Sequence, residues 1–304
     1  MKSKRFLSGG TLEDRVFDTF NILFMLGLVV VMLYPFANTI AVSLNESLDT
    51  IRGGIGIWPR AFTLANFRTV LSRVEIYHAA IISVQRTVLS TLVGVLTALM
   101  VAYPLSRKDF VFKKPVSMMF LFTMYVSGGL IPVYFLMRSL GLLNNFWVYV
   151  IPGMTSAFNI MITRSYINQL PDSFVESAKI DGAGEFRILF TIIFPLVLPV
   201  LAVVALFIAV GNWNSWFDTF LFAPGRQELS TLQFELQKVL QAASQQITAP
   251  DFTRGGMQEG SAGIVTPTAI RATMTIVATL PVLFVYPFLQ KYFVKGLTLG
   301  GVKG

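Results

Sequence analysis

Apolar and polar residues are sorted along this chain into long blocks. Residues 19–45 contain no Asp, Glu, Lys, Arg or His, and the same holds for 87–106, 115–137, 146–163, 188–211 and 272–290. At about 1.5 Å of rise per helical residue, blocks of this length suit a hydrocarbon core of about 30 Å. The pattern predicts six transmembrane helices forming one all-α integral membrane domain over residues 1–304. Residues 11–18 (TLEDRVFD) read as a short surface helix whose Val16 and Phe17 dip into lipid. Residues 229–243 (LSTLQFELQKVLQAA) place Leu232, Leu236, Val239 and Leu240 at amphipathic spacing. The following stretch, 245–263, is polar and glycine-rich and reads as a mobile loop with Gly255 and Gly256 at its tip. Prolines at 35, 104, 132, 152, 195, 199, 281 and 287 punctuate the spans. They are packing devices or sites where helices bend during gating.

Composition agrees with that pattern. The chain is 54% hydrophobic and only 13% charged, with a mean hydropathy of +0.65, which excludes an ordinary soluble domain. It has no cysteine, hence no disulfide or thiolate metal site, and its single histidine, His78, gives little basis for a metal site. The net charge of +8 could suggest nucleic acid, but its distribution points to membrane orientation instead. Segments 1–15, 107–114, 164–187 and 291–304 carry fourteen Lys and Arg; the alternating segments 46–86, 138–145 and 212–271 carry ten over a greater length. The positive-inside tendency then puts both termini and segment 164–187 in the cytosol. Lys2, Lys4 and Arg5 precede an apolar run too long for a signal peptide, so the run is expected to be a retained first span. Arg86, at the outer mouth of the second span, is expected to snorkel to the interface.

The most informative cytosolic stretch is 171–195, PDSFVESAKIDGAGEFRILFTIIFP. Ser173 and Glu176 have capping-box spacing, so a helix is expected just after Pro171. It should stop at Gly182 or Gly184, where glycine permits a left-handed turn. A second helix opens near Glu185, with Phe186, Leu189, Phe190 and Ile193 spaced for one apolar face. Ser177, Ala178, Gly182, Ala183 and Gly184 are small enough for another protein to approach the backbone closely. A plain connector between two spans is the alternative.

This stretch resembles the EAA loop of ABC-importer permeases, in which E-A-A-x-x-x-G is followed after nine residues by I-x-L-P. Glu176, Ser177 and Ala178 stand at the first three positions, Gly182 at the glycine, and Ile192 and Pro195 at the close. Ser177 and Phe194 depart from the pattern but keep its size class or apolarity. AYPLSR (102–107), SGGLIPVYFLMRSLGLLNNFWVYVIPG (127–153), ALFIAVGNWNSWF (205–217) and YPFLQKYFVKGLTLGGVKG (286–304) extend the likeness to the second permease subunit of carbohydrate importers of the maltose, oligosaccharide and polysaccharide type.

The resemblance implies a type I ABC importer permease fold in the bacterial cell membrane. It assigns Glu176, Ser177, Ala178, Asp181, Gly182, Ala183 and Pro195 to coupling with an ATPase, and a tail of Gly300, Gly301 and Lys303 to contact with the ATPase subunits. The partners it implies are a second homologous permease, two ATPase subunits carrying ATP and Mg, an extracytoplasmic sugar-binding protein and membrane lipid, with no nucleic acid. Gly255 and Gly256 are candidates for contact with the binding protein. No catalytic residue is expected on this chain, since no G-x-x-x-x-G-K-[ST] phosphate loop occurs in it. Asn212, Trp213, Asn214 and Trp216 form either an aromatic belt anchoring the fifth span or a sugar-facing mouth, with rings for sugar C–H faces and amides for hydroxyls. An ion-coupled sugar transporter is the competing class; against its proton-driven form, the six apolar stretches hold no carboxylate or histidine.

Overall fold

The computed structural model describes residues 12–248 and 266–300, and among them the ordered elements are helical. In chain order they are α1 (Leu12–Ser43), α2 (Ser47–Ile51), α3 (Ala65–Leu71), α4 (Val74–Ser106), α5 (Lys113–Tyr125), α6 (Leu130–Ser139) and α7 (Ala157–Ile167). There follow α8 (Ser173–Ile180), α9 (Glu185–Arg187), α10 (Phe194–Asn214), α11 (Phe217–Phe222), α12 (Leu232–Thr248) and α13 (Pro267–Gly300). A π turn, Ile188–Ile193, joins α9 to α10, so that Glu185–Asn214 is one continuous helical run. The chain divides into two compact units, one made of residues up to Val70 with Ala242–Val277, the other of Leu71–Gln241 with the residues from Ala278 onward.

Four helical runs are long and apolar enough to cross a membrane: Leu12–Ser43, Val74–Ser106, Glu185–Asn214 and Pro267–Phe284. They coincide largely with the first, second, fifth and sixth apolar blocks. The third block is not straight, because α5 and α6 meet at 119°. Gly129, at φ +83°, supplies the left-handed residue that the bend requires. The fourth block divides into a 3₁₀ turn at Phe146–Tyr149, an irregular passage across Pro152 and Gly153, and α7. Eleven residues of α7 reach about 16 Å, roughly half the hydrocarbon core.

In the first unit, α1 absorbs the expected surface helix. Nothing between Asp18 and Thr19 breaks the ladder, so 11–18 is not a separate element and the helix runs on from Leu12 to Ser43. From Leu12 to Phe36 every side chain is exposed by the rest of the described chain. Exposing each large aliphatic or aromatic group to water forgoes about 1.5–3 kcal/mol, so this face belongs in lipid or against another subunit. The polar segment after α1 is held by amides. Asn66 Nδ2 donates to the Ser43 and Asn45 carbonyls at 3.0 and 2.8 Å, Ser47 donates to Asn66 Oδ1 at 2.8 Å, and the Ala61 amide donates to Asn45 Oδ1 at 2.9 Å.

In the second unit, α4, α7 and α10 share one apolar core containing Leu99, Leu105, Ile160, Ile167, Val197 and Val204, each at most 1% exposed. Gly94 on α4 lets α10 in close: a Cβ there would lie 2.8 Å from Ile208 Cδ1. The π turn immediately precedes Pro195. A proline cannot donate to the carbonyl four residues back, and a wider turn accommodates the missing bond. As the sequence anticipates, α12 buries Leu232 and Leu236.

Candidate functional site

The stretch 171–195 folds as a short helix, a tight turn and the start of a long helix. Helix α8 begins at Ser173, directly after Pro171 and Asp172, but the expected capping box is absent. Asp172 occupies the N-cap position with αR backbone angles and makes no side-chain cap bond. Ser173 is already the first helical residue, so the Ser173–Glu176 spacing is one position out of register, and Glu176 is exposed. The C-terminus follows the glycine signal closely. Gly182 sits at φ +76°, its amide donates to the Lys179 carbonyl at 3.0 Å, and the Ala183 amide donates to the Ala178 carbonyl at 2.9 Å. These are the paired bonds of a Schellman termination.

Helix α8 buries Val175 and Ala178, one turn apart, against the body of the second unit. Ala178 is therefore turned inward, which removes it from the small residues that a partner could approach; Ser177, Gly182 and Gly184 remain exposed and Ala183 is half-buried. The outward side carries Phe174 and Ile180, the latter 86% exposed, and Phe186 beyond the turn is 71% exposed. Phe186 and Phe190 thus do not share the buried face of Leu189 and Ile193; the π turn changes the angular step and substitutes Ile188 in the core. Three large apolar side chains therefore stand exposed around a polar turn.

Two ion-pair sets pin this face to the α4–α5 turn. At the start of α8, Lys108 Nζ is 2.7 Å from Asp172 Oδ2, which holds the Asp172 carboxyl below its ordinary range and raises Lys108. At its end, Lys179 Nζ lies 2.8 Å from Glu185 Oε1 and 3.3 Å from Asp109 Oδ2. Lys179 is raised chiefly by Glu185, while Asp109 is lowered by its own backbone amide and then by Lys179. The Tyr103 hydroxyl of α4 donates to Glu185 Oε2 at 2.6 Å. The chain Asp109–Lys179–Glu185–Tyr103 therefore ties the turn after α8 to the end of the long helix α4.

The four residues named for the outer mouth go separate ways. Trp213 is buried, and its indole N–H donates to the Ala278 carbonyl at 2.9 Å, so it is a packing residue. Asn214 accepts from Gln233 at 3.5 Å, and Trp216 packs edge-on against Phe217 and tilted against Phe220 at centroid distances of 5.6 and 6.2 Å. Asn212 alone faces a charged centre, which sequence reasoning placed elsewhere. Arg86 does not snorkel: it is 2% exposed, ion-paired with Asp218, donates to the Ser215 carbonyl at 3.1 Å and to Asn212 Oδ1 at 3.4 Å, and lies 4.7 Å from the Tyr149 ring centroid. A guanidinium surrounded by apolar helices is retained only where an acid and further acceptors meet it. No local signal could have linked positions 132 residues apart. Gly255, Gly256, Gly301 and Lys303 lie outside the described residues, and Gly300 is the last residue of α13.

Long apolar helices, one of them uncovered along most of its length, define a multi-pass membrane protein. The chain belongs to the family of binding-protein-dependent transport system inner membrane components, whose profile matches residues 8–299, and it is an ABC transporter permease subunit. It is 35% identical over 294 residues to the polygalacturonan/rhamnogalacturonan transport system permease protein YtcP of Bacillus subtilis (strain 168), covering 96% of this chain and 100% of that protein. Protein LplC of the same organism is also 35% identical, over 97% of each chain. Among solved structures, a bacterial ABC transporter involved in the import of the acidic polysaccharide alginate matches with a TM-score of 0.80 at 27% identity, over 94% of this chain and 99% of that one. The all-α importer-permease fold expected from sequence is the one found.

Proposed function

We propose that this chain is one of two non-identical permease subunits in an ATP-driven importer of oligosaccharides or polysaccharide fragments. Glycan transport is what the names of the similar permease YtcP and of the alginate transporter structure have in common. The chain forms half of the translocation pathway. ATP and Mg are bound by two separate ATPase subunits, and this chain carries no hydrolytic chemistry. An extracytoplasmic binding protein delivers the glycan, and both termini face the cytosol, as the basic loops favour.

Helix α8 and its turn, comprising Glu176, Ser177, Asp181, Gly182 and Ala183, dock the ATPase, with Pro195 setting the path of the helix that follows. Ala178 serves from the inner side by anchoring α8. The observation that carries this reading is the outward apolar set of Phe174 and Ile180 on α8, a helix fixed at both ends by ion pairs, with Phe186 beyond the turn. Motion of the motor then reaches α4 through Tyr103 and α10 through the continuous run from Glu185. The tail residues Gly300, Gly301 and Lys303 add a second contact with the ATPases, and Gly255 and Gly256 meet the binding protein.

The test is to express the chain with its partner permease, ATPases and binding protein, then measure ATPase co-purification and glycan-stimulated hydrolysis. Phe174→Asp and Ile180→Asp are expected to lose ATPase co-purification while the chain still inserts in the membrane. Undiminished co-purification in both would mean that the motor docks elsewhere.

A further inference from the structure

A cavity of about 300 Å³ opens beside the buried Arg86. Its wall brings together Asn159 of α7, Phe207 and Asn212 of α10, Ser215 and Asp218 at the break after α10, and Arg86 of α4. Arg86 donates to Asp218, Asn212 and the Ser215 carbonyl and packs against the Tyr149 ring. The pair is neutral as a unit, so the cavity offers no spare positive charge.

It does offer unspent hydrogen-bonding capacity. Asn159 is 7% exposed, yet among the described residues its side-chain amide has no hydrogen-bond partner. Its backbone, by contrast, is satisfied: the Asn159 amide donates to Ser156 Oγ, and its carbonyl accepts from Thr163 at 2.8 Å. The side-chain amide instead opens on the cavity, where its donors and acceptor are free for water or a ligand hydroxyl. Asp218 places both of its internal bonds, from Arg86 and from Ser215 Oγ at 3.0 Å, on Oδ2. Its Oδ1 has no partner among the described residues, and the side chain is 34% exposed. Phe207 is 45% exposed, with the ring of Phe158 behind it at 6.2 Å.

An acceptor-only carboxylate oxygen, an amide that both donates and accepts, and an aromatic face are complementary to a sugar ring, with hydroxyls along its edge and C–H groups on its faces. We propose that this cavity is a sugar-ring subsite in this chain's half of the pathway, selecting the hydroxyl-bearing edge of a pyranose and turning any glycan carboxylate away from Asp218. The proposal rests on the reading of the chain as a glycan permease. It assigns Asn159, Phe207 and Asp218 to the substrate and leaves Trp213 in the packing.

The test uses the complete importer in proteoliposomes with two probes, maltotetraose and tetragalacturonate. Failure of the wild type to take up either probe overturns the glycan reading and the subsite with it. With a transported probe, Asn159→Ala and Phe207→Ala are each expected to cut uptake about tenfold, the equivalent of one lost hydrogen bond or ring contact. Complex yield is expected to hold, because the Asn159 side-chain amide bonds nothing among the described residues. Direct occupancy is read at Gly211, beside the cavity, where a Cβ meets nothing within 4 Å and where Gly211→Cys becomes the only thiol on a cysteine-free chain. The transported probe is expected to slow maleimide labelling of that thiol severalfold, and to lose this protection when Asn159→Ala is added. Unchanged uptake in both variants, or labelling indifferent to the probe, overturns the subsite while leaving the permease assignment standing.

Discussion

Replacing Gly182 by valine tests whether the turn after α8 transmits force. Gly182 holds φ +76°, and a side chain there would meet no atom within 4 Å, so the penalty is conformational and not steric crowding. A non-glycine residue in this region costs about 1–3 kcal/mol, and a β-branched one falls at the upper end. The alternative is to abandon the turn, giving up the Gly182 and Ala183 amide bonds to Lys179 and Ala178, at about 0.5–1.5 kcal/mol each. The two costs are of similar size, so in Gly182→Val the turn redistributes and α9 leaves α8 at a different angle. A misdirected population costing about 1.4 kcal/mol corresponds to a tenfold loss of the coupled state. Asparagine tolerates the left-handed region, so Gly182→Asn is the matched control. The assay is glycan-stimulated ATPase activity of purified importer, with ATPase co-purification measured alongside. The expected order is Gly, then Asn, then Ala, with Val about tenfold down. Stimulation in Gly182→Val equal to that in Gly182→Asn would refute the argument and reduce 171–195 to a connector.

Glu176→Ala is expected to leave the α8 start intact, as judged by amide hydrogen exchange of α8, because no capping box exists to lose; any defect will appear only as weaker ATPase co-purification. Tyr103→Phe removes one hydrogen bond to Glu185, worth about 1.5–3 kcal/mol where a charged group accepts, and is expected to lower glycan-stimulated hydrolysis without loss of complex yield. Arg86→Met alone strands Asp218 and is expected to lower complex yield and melting temperature, whereas Arg86→Met with Asp218→Asn should recover much of both, since removal of one partner of a buried pair is what costs most. The Lys108–Asp172 pin should show a defined pH window. Asp172 titrates below its ordinary range, so its contribution is present above that range and is lost as pH falls through the depressed value; Lys108 titrates above its ordinary range, so its contribution is lost only as pH rises through the raised value. The protection factors of the α8 amides, intrinsic exchange rates divided by the observed ones at each pH, are therefore expected to be constant around neutrality and to fall in acid in the wild type, but not in Lys108→Met.

Much of this architecture is legible from local pattern. The helices of the first, second, fifth and sixth apolar blocks follow from uninterrupted hydrophobicity, and the end of α8 follows from Gly182, because only glycine adopts that turn cheaply. Ser127-Gly128-Gly129 marks the bend between α5 and α6, but six unbroken spans are the simpler reading of hydropathy alone. What could not be read locally depends on contacts far apart in sequence. Asp172 forgoes capping because Lys108, 64 residues earlier, takes its carboxylate. Arg86 looks like an interfacial cation until Asp218 and Tyr149 are brought to it. Trp213 looks like a mouth residue until the Ala278 carbonyl claims its indole. Asn159 carries no sequence signal at all; it stands out only because its side-chain amide faces the cavity without a partner among the described residues.

The central claim is that this chain is a passive half-pore driven by ATP through α8. The most direct measurement is uptake of a glycan delivered by the binding protein into proteoliposomes holding the assembled importer, with ATP inside the vesicles or an ion gradient across them. The account predicts uptake with ATP alone, abolished when α8 can no longer hold the ATPase, and none with a proton or sodium gradient alone. Uptake driven by either gradient without ATP would contradict it.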